Sequence, residues 1–374
     1  MPEVSTDQPP MLNPAPSPRY PLLDALRIVA MLDIVSVHIN GAYFLAGIGL
    51  PVFIIVAVAL GVRRPVLPRP ADLPALGKKR AWRILWPWVF WSLFFGLNRV
   101  IWGVLDPERS IESFFYPWML ATGPSIHLWF LPFIFVAELV VLLGLAPLRR
   151  VPTGVVVVGA VALAIAGVWW TGRTYDGAGA MLAFKMDAPE YTHRAIAYGW
   201  TVQKSWWFGL ASVALGVAVG RTLSITGSAW PRRAMLGGAV GLFMLNFLWQ
   251  AMDSVARADG ELVGPARWLT AVPAPIHGQA IWQWWRQFTA LLCVAVAIQF
   301  TGKTPAWLMR LALTTMGVYL LHGWVNARFL PPLDRYVWNF AEVTKTFHGR
   351  LAVAWILTVV LVWLLRRTRL RRVL

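Results

Sequence analysis

Apolar residues fill the chain in long runs, broken by short polar stretches that fall at intervals of one membrane thickness. A helix needs about 20 apolar residues to cross the hydrocarbon core, and the runs are long enough for this reading. They predict ten helical spans, at about 22–40, 46–60, 84–103, 127–145, 154–170, 204–220, 234–252, 281–300, 306–325 and 350–365. The expected fold is therefore all-α: a polytopic transmembrane bundle of about ten spans with both termini on one side. Its expected divisions are a disordered polar tail at 1–20, a membrane domain at 21–366 and a basic tail at 367–374. The two halves match neither in segment length nor in motif, which speaks against an inverted-repeat transporter.

Composition agrees with this pattern. Hydrophobic residues make up 58% of the 374 positions and charged residues 14%, with a mean hydropathy of +0.58. An ordinary soluble domain is far more polar. The 23 tryptophans suit the aromatic belts at membrane–water boundaries. A lone cysteine, Cys293, excludes an intramolecular disulfide and any cysteine-based metal cluster.

The net charge of +17 invites a nucleic-acid reading until its location is considered. Alternate connections collect it: Arg19, the 61–83 segment, Arg149 and Arg150, Arg221, Arg232 and Arg233, Lys303, Arg310, and the terminal RRTRLRRVL. The opposite loops at 104–126, 171–203, 253–280 and 326–349 are nearly neutral. Basic loops stay cytoplasmic, so this asymmetry predicts cytoplasmic termini and needs no DNA or RNA partner. The first twenty residues are Pro-rich with a basic residue only at Arg19, unlike a secretory n-region, and the following apolar run shows no small-residue cleavage pattern, so it is expected to stay as an anchor.

Ionisable groups inside apolar spans are costly and usually face a wet or protein-lined interior. Arg27 and His38 lie eleven residues apart in LLDALRIVAMLDIVSVHIN, which places them on one helix face about 16 Å apart. His38, toward the outer end, has a proton affinity suited to a general base; Arg27 has a donor fork suited to a phosphate or carbonyl oxygen. The competing reading has Arg27 snorkelling or pairing with Asp24, and His38 in a helix–helix hydrogen bond. Asp33 lies on a different face and is expected to orient a neighbouring helix.

Lys78, Lys79, Arg80 and Arg83 stand at the mouth of the third span, with Arg80 and Arg83 at i and i+3. If the segment is helical, it offers a helix N-terminus beside an arginine pair, a plausible phosphate clamp. Simple positive-inside anchoring is the alternative. His127 and Trp129 open the fourth span with Glu138 eleven residues beyond His127, and Tyr319 and His322 lie near the outer end of the ninth. If these helices meet, His38, His127 and His322 would form an outer polar chamber, with Arg27 and Glu138 deeper. Interfacial anchoring explains the same residues singly. The sequence contains no HExxH, GxSxG or Walker A motif and no metal-ligand cluster, so no bound metal is expected.

Five motifs in order carry a resemblance. LLDALRIVAMLDIVSVH, GIGLPVFIIVAVAL, KKRAWRILWPWVFW, HLWFL and GVYLLHGWV resemble successive motifs of the membrane acyltransferase 3 family, over about residues 20–365. Departures are Ile28 where the family commonly has Gly, Ala57-Val58 where a Ser-Gly pair is frequent, and a lone Glu138 in the fourth span. The resemblance implies a multi-pass protein of the bacterial inner membrane with no tightly bound cofactor. It implies acyl transfer from cytoplasmic acyl-CoA, acetyl-CoA by default, to a hydroxyl of a glycan, lipid or small molecule outside. His38 would then be catalytic with Arg27 assisting, Arg80, Arg83 and Lys79 would hold CoA phosphates, and His127, Trp129, Glu138, Tyr319 and His322 would serve an acceptor or structural site. A transporter or flippase for a polar envelope precursor is the competing class.

Overall fold

The computed structural model describes residues 19–40, 47–63, 68–105, 119–183, 206–222, 241, 279–336 and 347–374. These are helical almost throughout, and no strand occurs among them. The helices are α1 (Pro21–Asn40), α2 (Gly49–Val62), α3 (Leu73–Leu105), the single turn α4 (Met119–Thr122), α5 (Phe130–Leu145), α6 (Thr153–Ala183), α7 (206–222), α8 (Gln279–Ala297), α9 (Ala306–Arg328), α10 (Leu330–Tyr336) and α11 (Phe347–Leu365). The expected span at 234–252 lies outside the described residues, apart from a helical Gly241.

Three helical stretches among the described residues are long and apolar enough to cross a bilayer: Pro70–Leu105, His127–Leu145 and His348–Leu365. Shorter apolar helices run at Gly49–Val62, Thr153–Val168 and Arg286–Ala297. α1 and α9 are more polar because they carry the site described below.

The centre of the molecule is the pair α1 and α9, which run parallel. Thr304, just ahead of α9, donates to Asp24 at 3.2 Å; Arg27 donates to Thr315 at 3.4 Å; Asn326 donates to the His38 carbonyl at 3.4 Å. α2 and α11 pack against this pair, and α5 packs on α2 and α3. Bilayer lipid offers no hydrophobic gain for helix association, so close packing of small residues must supply it. At Gly49 the α1 backbone comes so near that a Cβ would stand 2.3 Å from the Ala30 carbonyl oxygen; at Gly220 a Cβ would stand 2.5 Å from Val62. α2 is thereby held between α1 and α7.

The buried Asp33 links these helices in the way its position predicted. Its carboxylate accepts from the backbone N–H groups of Gly47 at 3.2 Å and Gly49 at 2.8 Å, capping the start of α2 from α1. A carboxylate at a helix N-terminus satisfies donors that have no partner within the helix.

Three expectations change, one of them at α6, which runs on to Ala183, into the segment expected as the 171–203 loop. The third helix begins at Leu73, not near residue 84, because Pro70–Asp72 forms a 3₁₀ turn that leads straight into it. Arg80 and Arg83 are therefore well inside a helix, and the free N–H groups of a helix start are not available to an anion there. At 33 residues α3 is roughly 50 Å long, well beyond the hydrocarbon thickness of a bilayer. Third, the 326–349 connection contains the further helix α10. At the far end of the chain, Thr368 caps a 3₁₀ turn over Arg369–Arg372, and the carbonyl of buried Val373 accepts the Trp91 indole N–H at 2.8 Å. The last residues are docked on α3.

Candidate active site

α1, α5 with its leading turn, and α9 each carry one polar residue near the same end of the bundle and another about two or three turns further along. The three at that end are His38, His127 and His322. Their ring centroids lie 5.0 Å apart for His38 and His322, 5.2 Å for His127 and His322, and 6.4 Å for His38 and His127. The meeting of these helices, which sequence left conditional, is realised.

Each histidine is held differently. His127 sits on a 3₁₀ turn, Ile126–Trp129, that follows Gly123 and Pro124. Gly123 has a φ of +88°, where a side chain would be strained, and a Cβ there would collide with Leu128. The His127 Nε2 lies 3.1 Å from the Leu320 carbonyl and its Nδ1 lies 3.0 Å from the Ser125 hydroxyl. A carbonyl only accepts, so Nε2 carries the proton and Nδ1 accepts from Ser125. Both nitrogens are committed, the ring is buried, and Tyr319 donates its hydroxyl to the His127 carbonyl.

His322 is fully buried, with Nδ1 2.8 Å from the Tyr319 carbonyl and 3.2 Å from that of Val318, both on its own helix. Nδ1 must therefore carry the proton. The opposite nitrogen, Nε2, is a buried lone pair with no hydrogen-bond partner. His38 is the exposed member of the three, and among the described residues no side chain hydrogen-bonds its ring.

The deeper cluster lies about 16 Å away along α1 and α5, given the helical rise over Arg27–His38 and His127–Glu138. Arg27 stands 3.8 Å from Asp24 and reaches Thr315 on α9. The pairing that competed with a functional role is thus present, though the side chain keeps 33% of its surface open. Arg80 forms an ion pair with Glu138, joining α3 to α5 beside Gly61 and Val62. Arg83 is exposed, and its charge stands near enough to act on Arg27. Lys79 is exposed and lines, with Lys78, Trp82 and Trp86, a shallow apolar groove on α3.

Sequence reasoning placed Glu138 deeper than the histidines, beside Arg27; the partner it takes there is Arg80 of α3. Trp129 is buried against Phe130 and Phe133 and belongs to the packed core. Two residues were missed. Ser125 sets the His127 tautomer, and its position two residues upstream was the available signal. Arg286 on α8 is buried, donates from Nε to the Gly47 carbonyl at 2.8 Å and lies over the Phe208 ring at 5.2 Å. The intramembrane-charge argument that singled out Arg27 applies equally to Arg286 within IWQWWRQF.

An all-helical membrane protein with a histidine cluster near one end and an arginine cluster deeper in is the class that fold and site define. The profile of a family described as an acyltransferase domain matches residues 20–367, and the chain belongs to it: the membrane acyltransferase 3 family. The protein is an integral membrane acyltransferase. No curated protein and no solved structure matches the chain.

Proposed function

We propose that the protein moves an acyl group, acetyl by default, from cytoplasmic acyl-CoA to a hydroxyl on the outer side of a bacterial inner membrane. The acceptor is a glycan, lipid or small molecule of the envelope. In this reading the chain crosses about ten times, with both termini cytoplasmic and the basic start of α3 facing the donor. The observation that carries it is the stacking of two polar clusters, cationic and imidazole, some 16 Å apart along the same helices. An acyl-CoA has that layout: phosphates at one end, an extended pantetheine arm, and the reactive thioester at the other.

Arg83, Lys79 and Arg27 meet the donor's negative charge, and Arg80 joins them once phosphate displaces Glu138. At the outer end, the exposed His38 takes the proton of the acceptor hydroxyl as its oxygen bonds to the thioester carbonyl carbon. The C–S bond then breaks, and the imidazolium returns the proton to the departing CoA sulfur. His38 is used once as base and once as acid, and no metal enters the step.

Purified protein in detergent, incubated with acetyl-CoA, provides the test, with His38→Ala and Arg83→Ala beside the wild type. The expected result is binding and turnover by wild type, weaker binding by Arg83→Ala, and retained binding without transfer by His38→Ala. Absence of affinity for acyl-CoA of any chain length would overturn the proposal in favour of a transporter, which neither hydrolyses nor drains a thioester.

A further inference from the structure

His322 is buried in the middle of a histidine cluster with half of its hydrogen-bonding capacity unused. Its Nδ1 is committed to two carbonyls of α9, three and four residues back. That anchorage fixes the ring and turns Nε2 away from its own helix. Nε2 has no hydrogen-bond partner, although a buried acceptor left unsatisfied is destabilising. A structural histidine of this cluster looks different: His127 has the same burial and both nitrogens occupied. The two rings nearest His322 are His38 and His127. Since His127 has no N–H to spare, His38 is the neighbour with a ring N–H to give. The centroids lie 5.0 Å apart with the rings tilted by 47°, so a turn of the His38 ring brings one of its nitrogens within hydrogen-bond distance of the unpartnered Nε2.

We propose that His322 is the positioning residue of a His38–His322 pair, its Nε2 accepting one ring N–H of His38 and thereby presenting the bare nitrogen of His38 to the substrate. The inference rests on the reading of His38 as the group that meets the acceptor. His322 cannot be that group itself, because it has no exposed surface while His38 does. The pair does with two imidazoles what a carboxylate does for a catalytic histidine: it selects the tautomer, fixes the ring plane, and stabilises the imidazolium when His38 takes a proton. A neutral acceptor suits an apolar surround better than a carboxylate would, since a buried carboxylate carries a large desolvation cost. The backbone anchorage of Nδ1 supplies the direction that the charge would otherwise provide.

Two variants of similar shape separate this role from packing. His322→Gln keeps an acceptor oxygen near the place of Nε2, and His322→Met fills the same space without one. The first readout is the rate at which diethyl pyrocarbonate transfers its ethoxycarbonyl group to His38, measured by peptide mass spectrometry. The reagent reacts with a bare imidazole nitrogen and releases ethanol and carbon dioxide. Exposed His348 serves as the internal reference. The Met variant is expected to slow modification of His38 relative to His348 by about tenfold, the scale of one lost hydrogen bond to a ring gaining charge. The Gln variant should recover most of the rate. Acetyl-CoA turnover is the second readout: kcat should fall in the Met variant and recover in the Gln variant, with KM for acetyl-CoA unchanged in both. Equal His38 rates in the two variants, or a fall at His38 and His348 alike, would overturn the pairing. Carbethoxylation needs no acyl-CoA, so a wild-type protein inert toward acetyl-CoA refutes the transfer mechanism and leaves the pairing to be judged on labelling.

Discussion

A histidine with both ring nitrogens hydrogen-bonded is a fastener, whereas one with a free lone pair at an open surface can take part in proton transfer. His127 and His38 are these two cases, and their substitution should separate stability from turnover. His127→Ala leaves the Leu320 carbonyl without its donor and is expected to lower stability by roughly 1–3 kcal/mol, read as a fall in the melting temperature in detergent. His38→Ala should leave the melting temperature within a degree or two while abolishing transfer. At the cationic end, Glu138→Gln frees Arg80 and should lower KM for acetyl-CoA by about threefold, the scale of a partly exposed ion pair. An unchanged or raised KM would show that Arg80 does not meet the donor. Arg27, His38 and the Arg80/Arg83 pair were visible as residue types out of place in apolar or helical context. Asp24, one turn back from Arg27 on the same helix, was visible as a partner too; Thr315 and Glu138 were not, because they become partners only through helix packing.

Helices in this fold are set by contacts that leave no room for side chains and by a few polar ties between neighbours. α2 is the clearest case, gripped by α1 at Gly49 and tied to Asp33 through the N–H groups of Gly47 and Gly49. Asp33→Ala removes both acceptors and should destabilise the protein by roughly 1–3 kcal/mol, with Asp33→Asn intermediate, since its single carbonyl oxygen can serve one N–H. Equal melting temperatures for wild type and Asp33→Ala would remove Asp33 from this role. Hydropathy located α1, α2, α5, α6, α7, α8, α9 and α11 to within a few residues, apart from an α6 that runs on to Ala183. It misplaced the start of α3 because Lys78, Lys79, Arg80 and Arg83 end an apolar run without ending a helix. Lys and Arg are good helix formers, so the helix outlasts the apolar layer.

Across the whole molecule, the proposed function assigns the two clusters to opposite ends of the same helices, with the charge asymmetry setting which end faces the donor. In a background with Cys293 replaced by Ala, Lys79→Cys and His348→Cys should react with a membrane-impermeant maleimide from opposite sides. Lys79→Cys should label in inverted vesicles and His348→Cys in intact cells. Labelling of both from one side would overturn the proposed arrangement. The sequence by itself determined that the chain is helical and membrane-embedded, and that an arginine and a histidine share a face of the first helix. Those properties depend on composition and on the 3.6-residue period, both local to the chain. Only the tertiary structure decided which groups meet: three histidines from α1, α9 and the turn before α5, Arg80 with Glu138, and an unpaired Nε2 on His322 beside the exposed ring of His38. The physical reason is that helix packing in lipid is directed by the fit of small residues and single hydrogen bonds between segments up to 288 residues apart, and no hydropathy pattern encodes that fit.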